Sequence, residues 1–186
     1  MALSALDEKP ALILIDLQNG IVGLSTAHST QDVVRHARAL ADAFRSRGLP
    51  VVLVNVTGTA PGRTEQTRNF PRPPGWAELV PDLNRQPGDI TVTKQRWGAF
   101  TGTDLDAQLQ RLGVTQVVIA GVATSAGVES TARHAHEHGF NVTLAVDAMT
   151  DMSAEAHENS IKRIFPRLGE TGTTQEIIDM LQARTI

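Results

Sequence analysis

The sequence predicts a doubly wound α/β fold, with three layers (α/β/α) around a central, mostly parallel sheet of about six strands. Three observations carry that expectation. Several short runs are continuously apolar and β-branched rather than alternating, as parallel strands covered on both faces must be. Amphipathic helical patterns stand between those runs, the order that builds right-handed crossovers. The chain of 186 residues suits one sizeable core, so residues 1–186 are expected to form a single domain.

The elements follow in order. Ala11–Asp16 and Pro50–Val56 read as the first two buried strands. Between them, Val33, Ala37, Leu40, Ala41 and Phe44 share one helical face, and Gly48 closes that helix. A long irregular stretch, Thr57 to about Trp76, is rich in Pro, Gly and Arg; a loop of that length is usually functional or mobile. Asp89–Thr93 is the next candidate strand. Thr103 with Asp106 reads as a capping box ahead of Leu105, Leu109 and Leu112. Gln116–Gly121 is a buried strand, and Val128, Thr131, Ala132 and Ala135 line the helix after it, which ends at Gly139. Asn141–Asp147 is another strand. Ser153 can cap a helix running to Phe165, a short last strand falls near Arg167–Thr171, and Thr173 with Glu176 caps the final helix of Ile177, Ile178 and Leu181.

Composition narrows the function. Apolar residues make up 41% and charged residues 20%, and the net charge of -3 points to neither nucleic acid nor an anionic membrane as partner. No apolar run approaches the ~20 residues that cross a bilayer. The opening MALSALDEKP lacks the pattern of a signal peptide, so a cytoplasmic protein is expected. The chain has no cysteine, which excludes disulfides, thiolate metal sites and a cysteine nucleophile.

In open α/β sheets, ligands bind outside the carboxyl ends of the strands. Standing there are Asp16 and Gln18, then Lys94 with Arg96 and Trp97, then the small-residue turn Gly121–Gly127, and Asp147. Asp16 follows five apolar residues; it either closes a turn through an Asx bond or is a partly desolvated acid. Lys94 either pairs with Asp16 or is a solvated strand-end lysine. The turn either packs a strand tightly against a helix or converges its N–H groups on an anionic oxygen. In the long loop, Arg63, Arg68, Arg72 and Trp76 fit a carboxylate-bearing ligand and fit an ordinary solvated loop equally well. His134 and His138 have ligand spacing on a helix but lack the flanking carboxylate, so a solvated face is the better reading.

The segments ALILIDLQNGI, VTKQRWGAFTGTDLD, VVIAGVATSAGVESTARHAHEHGFNVTLAVDAMTD and TGTTQEI, in that order and spacing, resemble the isochorismatase-like superfamily, also called cysteine hydrolases. The resemblance runs from Ala11 through Ile178 and implies a Rossmann-like, isochorismatase-like hydrolase fold. It puts the family's strand-end aspartate on Asp16 and its lysine on Lys94. The position that usually holds a cysteine nucleophile is Gly127, a departure shared with the family's true isochorismatases. Those cleave a vinyl ether, which needs no covalent nucleophile.

The resemblance therefore implies a hydrolase of a small anionic molecule, with Asp16 as acid/base, Lys94 as its charge partner and Gly127 leaving room for substrate. The alternatives are a C–N hydrolase using activated water, with Ser125 the nearest turn hydroxyl besides Thr124, and a ligand-binding member without catalysis. Gln18, Arg68, Trp76, Trp97, Ala123 and Ser125 are the expected substrate-binding residues. The family often has a cis peptide where Val122–Ala123 stands here. The metal-binding Asp-x-His motif of nicotinamidase relatives has no counterpart, so neither metal nor cofactor is expected. Members are commonly dimers or tetramers, which implies a homo-oligomer.

Overall fold

Six parallel strands form one sheet in the order β3-β2-β1-β4-β5-β6. They are β1 Pro10–Ile15, β2 Val51–Val56, β3 Ile90–Lys94, β4 Gln116–Val122, β5 Asn141–Thr150 and β6 Glu170–Gly172. The structure is a computed structural model and describes residues 3–65 and 71–183. The helices are α1 Asn19–Val22, α2 Thr30–Ser46, α3 Leu105–Arg111, α4 Glu129–Glu137, α5 Ala154–Asn159 and α6 Thr174–Gln182. Among the described residues, no helix is long and apolar enough to cross a membrane.

Strand side chains alternate between two cores, which is why both faces must be apolar. Leu12, Leu14, Leu53 and Val118 meet α2 and α6 through Ala37, Leu40, Phe44 and Ile177. Ile13, Ile15, Val54 and Ile119 meet α3 and α4 through Leu105, Leu109, Val128 and Ala132. The helix ends carry the expected chemistry at two places: Ser153 accepts the Ala156 amide at α5, and Thr173 with Glu176 forms a complete capping box at α6. At the start of α2 the Ser29 hydroxyl, which the sequence reading did not single out, accepts the Asp32 amide.

Four expectations need correction. Thr103 does not make a capping box: its hydroxyl donates to the Ala99 carbonyl and accepts the Leu105 amide at 3.4 Å, while the Asp106 carboxylate accepts from Gln110 instead. Leu112 follows the last turn of α3 and is exposed, because the helix stops one residue before it. The helix from Ser153 is not α-helical to Phe165; α5 ends at Asn159 and continues as a wide π-turn, Ser160–Ile164. The fifth strand does not end at Asp147. Between Ile119↔Leu144 and Gly121↔Met149 the β4–β5 register slips, so β5 runs on to Thr150. Asp147 sits in that irregular stretch and turns away, its carboxylate accepting the Thr174 amide and hydroxyl at the start of α6.

Candidate active site

β1 and β4 are neighbours, yet their onward connections run to opposite sides of the sheet. This reversal opens a crevice at their carboxyl ends, where α/β folds bind ligands. The two strands come very close there. Gly121, at φ 120°, faces Ile15, and a Cβ on it would lie 2.1 Å from the Ile15 carbonyl oxygen. Only glycine permits that approach.

One residue on, Asp16 takes φ 53°, a left-handed conformation that few non-glycine residues adopt and that favours Asp and Asn among them. It ends the strand and swings the carboxyl group into the crevice. Asp16 is 6% exposed and Lys94 2%. Lys94 stands at the end of β3 and reaches beneath the end of β2, its Nζ donating to Asp16 Oδ2 at 2.7 Å and to the Arg96 carbonyl at 3.1 Å. The other carboxyl oxygen, Oδ1, is buried and has no hydrogen-bond partner among the described residues. Burial pushes the Asp16 carboxyl up to about 6; Lys94 opposes this but does not cancel it.

The turn after β4 completes the crevice. Val122–Ala123 is a cis peptide, and Thr124–Val128 form a wide π-turn leading straight into α4. The Ala123 carbonyl accepts the amides of both Ala126 and Val128 at 3.1 Å, with Gly127 between them. Gly127 lies against the acid: a Cβ there would stand 3.3 Å from Asp16 Oδ2, 2.9 Å from Ile15 Cγ2 and 3.6 Å from the Trp97 carbonyl. The structure thus brings Asp16, Lys94 and Gly127 together from three strand ends far apart in the chain.

The expected substrate-binding residues divide. Ala123 is buried in the turn itself. Gln18 is fully buried and bonded like a strand residue: Oε1 accepts the Val56 amide, and Nε2 donates to the carbonyls of Val56 and Trp76. Trp76 packs its indole on Gly20, where a Cβ would meet the ring Nε1 at 2.0 Å, and the Arg72 guanidinium lies 5.3 Å from the ring centroid. Trp97 is 66% exposed; its carbonyl rather than its ring faces the turn. Ser125 Oγ donates to Asp151 Oδ2 at 2.7 Å. Arg68 lies outside the described residues. Arg72 and Arg96 are held to the rim by Thr57 and Thr59 carbonyls. An open cleft of about 500 Å³ lies beside the end of β2, lined by residues such as Asn55, Leu79 and Arg85, but it includes neither Asp16 nor Lys94. It has no buried acid or base, so the crevice is the better candidate.

Three residues around the turn escaped sequence reasoning. Asp151, just past β5, accepts the amide and hydroxyl of Ser125. The Thr131 hydroxyl donates to the Gly127 carbonyl at 2.6 Å and accepts the Ala99 amide. His157, on α5, shares a 2.8 Å hydrogen bond with Thr124 Oγ1. Burial, and then nearby His28, holds the His157 pKa below the usual histidine value. Placing β5's end at Thr150 would have flagged Asp151; nothing in the sequence marks the other two.

Comparison with known proteins agrees with this architecture. The model of the isochorismatase domain matches residues 10–176. The chain is 42% identical over 183 residues to the isochorismatase family protein YwoC of Bacillus subtilis (strain 168), covering 94% of this chain and 95% of that one. It is 32% identical over 167 residues to the ureidoacrylate amidohydrolase RutB of Stutzerimonas stutzeri (strain A1501), covering 73% and 67%. A solved isochorismatase family protein from Burkholderia thailandensis matches with a TM-score of 0.93 at 42% identity, covering 96% of this chain and 98% of that one.

Proposed function

The chain belongs to the isochorismatase family of hydrolases, and from that premise we propose that it hydrolyses the vinyl ether of a small anionic molecule without a covalent nucleophile. The observation that carries this reading is Gly127: it presents no side chain of its own, and so no nucleophile, at the point 3.3 Å from Asp16 Oδ2 where a Cβ would stand.

The chemistry needs an acid of intermediate strength, and Asp16 at about 6 is one. Protonated Asp16 delivers its proton to the methylene carbon of an enolpyruvyl ether, leaving an oxocarbenium ion. Water adds to the cationic carbon and returns a proton to Asp16. The hemiketal then collapses to pyruvate and an alcohol. Lys94 steadies the carboxylate between the two transfers, and its fixed position in the interior means that no reorganisation is needed as the charge forms. Arg72 and Arg96 at the rim give a carboxylate-bearing substrate a favourable approach.

A second reading has one observation in its favour, the resemblance to the ureidoacrylate amidohydrolase. Here Asp16 would be a base that activates water against a C–N bond. The two readings have opposite pH dependence. An acid works only while protonated, so kcat/KM on an enol ether should fall as pH rises through about 6; a base works only when ionised, so kcat/KM on an amide should rise through the same range. The experiment is a panel of isochorismate, other enolpyruvyl ethers and small ureido and amide compounds, assayed from pH 4.5 to 8.5. Pyruvate release with a falling limb, lost in Asp16→Asn by about 10²-fold or more, is expected. Turnover of amides alone, with a rising limb, would replace the vinyl-ether reading.

A further inference from the structure

We propose that Asp151 is a positioning residue for the reaction: it fixes the π-turn so that Gly127 keeps its place against Asp16. The inference rests on the function proposed above only for what the turn is for. Asp151 is 4% exposed, and every bond of its carboxylate serves local backbone and hydroxyl donors. Oδ2 accepts the Ser125 amide and the Ser125 hydroxyl, both at 2.7 Å, and Oδ1 accepts the Ser153 amide at 3.1 Å. Its own carbonyl accepts the Ala27 amide at 2.8 Å.

The physical need is plain. The first amides of a helix have no partner within it and must find one outside. Here Ser125, in the opening turn that feeds α4, finds a carboxylate brought from the far end of β5. That buried charge does two things. It sets the plane of the peptide two residues before Gly127. It also neutralises the positive end of the helix, which elsewhere is free to hold an anionic ligand. The negative groups of the substrate are therefore left to the rim, and Ser125 is a tether rather than a substrate contact. Thr131, holding the Gly127 carbonyl from the other side, is the complementary anchor.

Asp151→Asn keeps the shape but cannot accept at both ends, so either Ser125 or Ser153 faces an N–H2 group. On whichever substrate the wild type turns over, kcat per folded molecule should fall about 10- to 100-fold, the scale of a displaced reacting group. KM should stay within about 3-fold, because binding at the rim is untouched. Ser125→Ala, which keeps the amide bond, should lose less. A second readout needs no substrate. The wild type has no cysteine, so Gly127→Cys places a unique thiol beside Asp16, with the Ile15 side chain, 2.9 Å from the new Cβ, giving way to admit it. The pH midpoint of its alkylation by iodoacetamide should depart from the free-thiol value near ~8.5, and Asp151→Asn should return it toward that value by about half a unit or more. An unchanged kcat with only a lower Tm, a midpoint that Asp151→Asn leaves alone, or a Gly127→Cys thiol already at the free value would each overturn the proposal. If the wild type turns over none of the panel, the proposed function fails while the thiol measurement still decides on Asp151.

Discussion

Asp16 and Lys94 form an ion pair in the interior, and the two ends of it are unequal. Lys94 has a second acceptor in the Arg96 carbonyl, whereas Asp16 Oδ1 has no donor among the described residues. A buried pair of this kind contributes little net stability as a unit, but removing one member leaves the other charged and alone. Lys94→Ala should therefore cost about 3–5 kcal/mol at pH 8, where Asp16 must either carry its charge unpaired in the interior or take up a proton that the unfolded chain does not hold. The sign with pH follows from the raised carboxyl value. Burial favours the protonated acid, Lys94 is the group that opposes it, and its loss pushes the folded-state pKa further above the unfolded 3.8. Stability gained from that shift is present at low pH and lost as pH rises through the folded-state value. Urea titrations at pH 5 and pH 8 should show the smaller penalty at pH 5; equal penalties would mean that Asp16 is not the partner left stranded.

At the scale of elements, the site is a product of how β1 and β4 end. The contact between Gly121 and the Ile15 carbonyl sets the strand separation just where Asp16 leaves one strand and the turn leaves the other. Gly121→Ala combines a disfavoured φ with a backbone collision, and should destabilise by more than about 1 kcal/mol and reduce turnover together. Thermal melts and kcat on the same preparation check this; a variant with a normal melt and normal kcat would refute it. These elements were largely legible in the sequence, because strands buried on both faces show as unbroken β-branched runs and α5 and α6 announce their caps. The limits were equally physical. Asp147 looked like a strand end because an aspartate after an apolar run usually is one, and a register slip cannot be read from residue types. Thr103 had the spacing of a capping box, but its hydroxyl found a nearer carbonyl. Asp16 and Lys94 were legible as the polar ends of apolar strands, and the resemblance then gave them and Gly127, which lies inside the turn, their places in a site; Asp151 was hidden by the misplaced end of β5.

For the whole molecule, one sheet links all six strands, and apolar layers cover both of its faces. β1, at its centre, pairs with strands about 40 and 105 residues later in the chain, so no half of the sequence closes a core alone. We therefore expect residues 1–186 to unfold as a single domain: one urea transition, coincident by circular dichroism and by tryptophan fluorescence. Two separated transitions would show that the chain divides.

The slip in β5 has a consequence for how such a protein can change over time. Across it, β4 advances two residues while β5 advances five. The inner half of β5 pairs with β4 and with β6, while the outer half pairs with the end of β4, accepts the His28 amide on the Thr150 hydroxyl and delivers Asp151. The irregular stretch that joins them is itself held: Ala145 and Ala148 are buried in the core shared with α2 and α6, and Asp147 accepts the amide and hydroxyl of Thr174 at the start of α6. A change in its length would move the start of α6 and the wall of the crevice together, so the wall and the scaffold behind it are tied and must change in step.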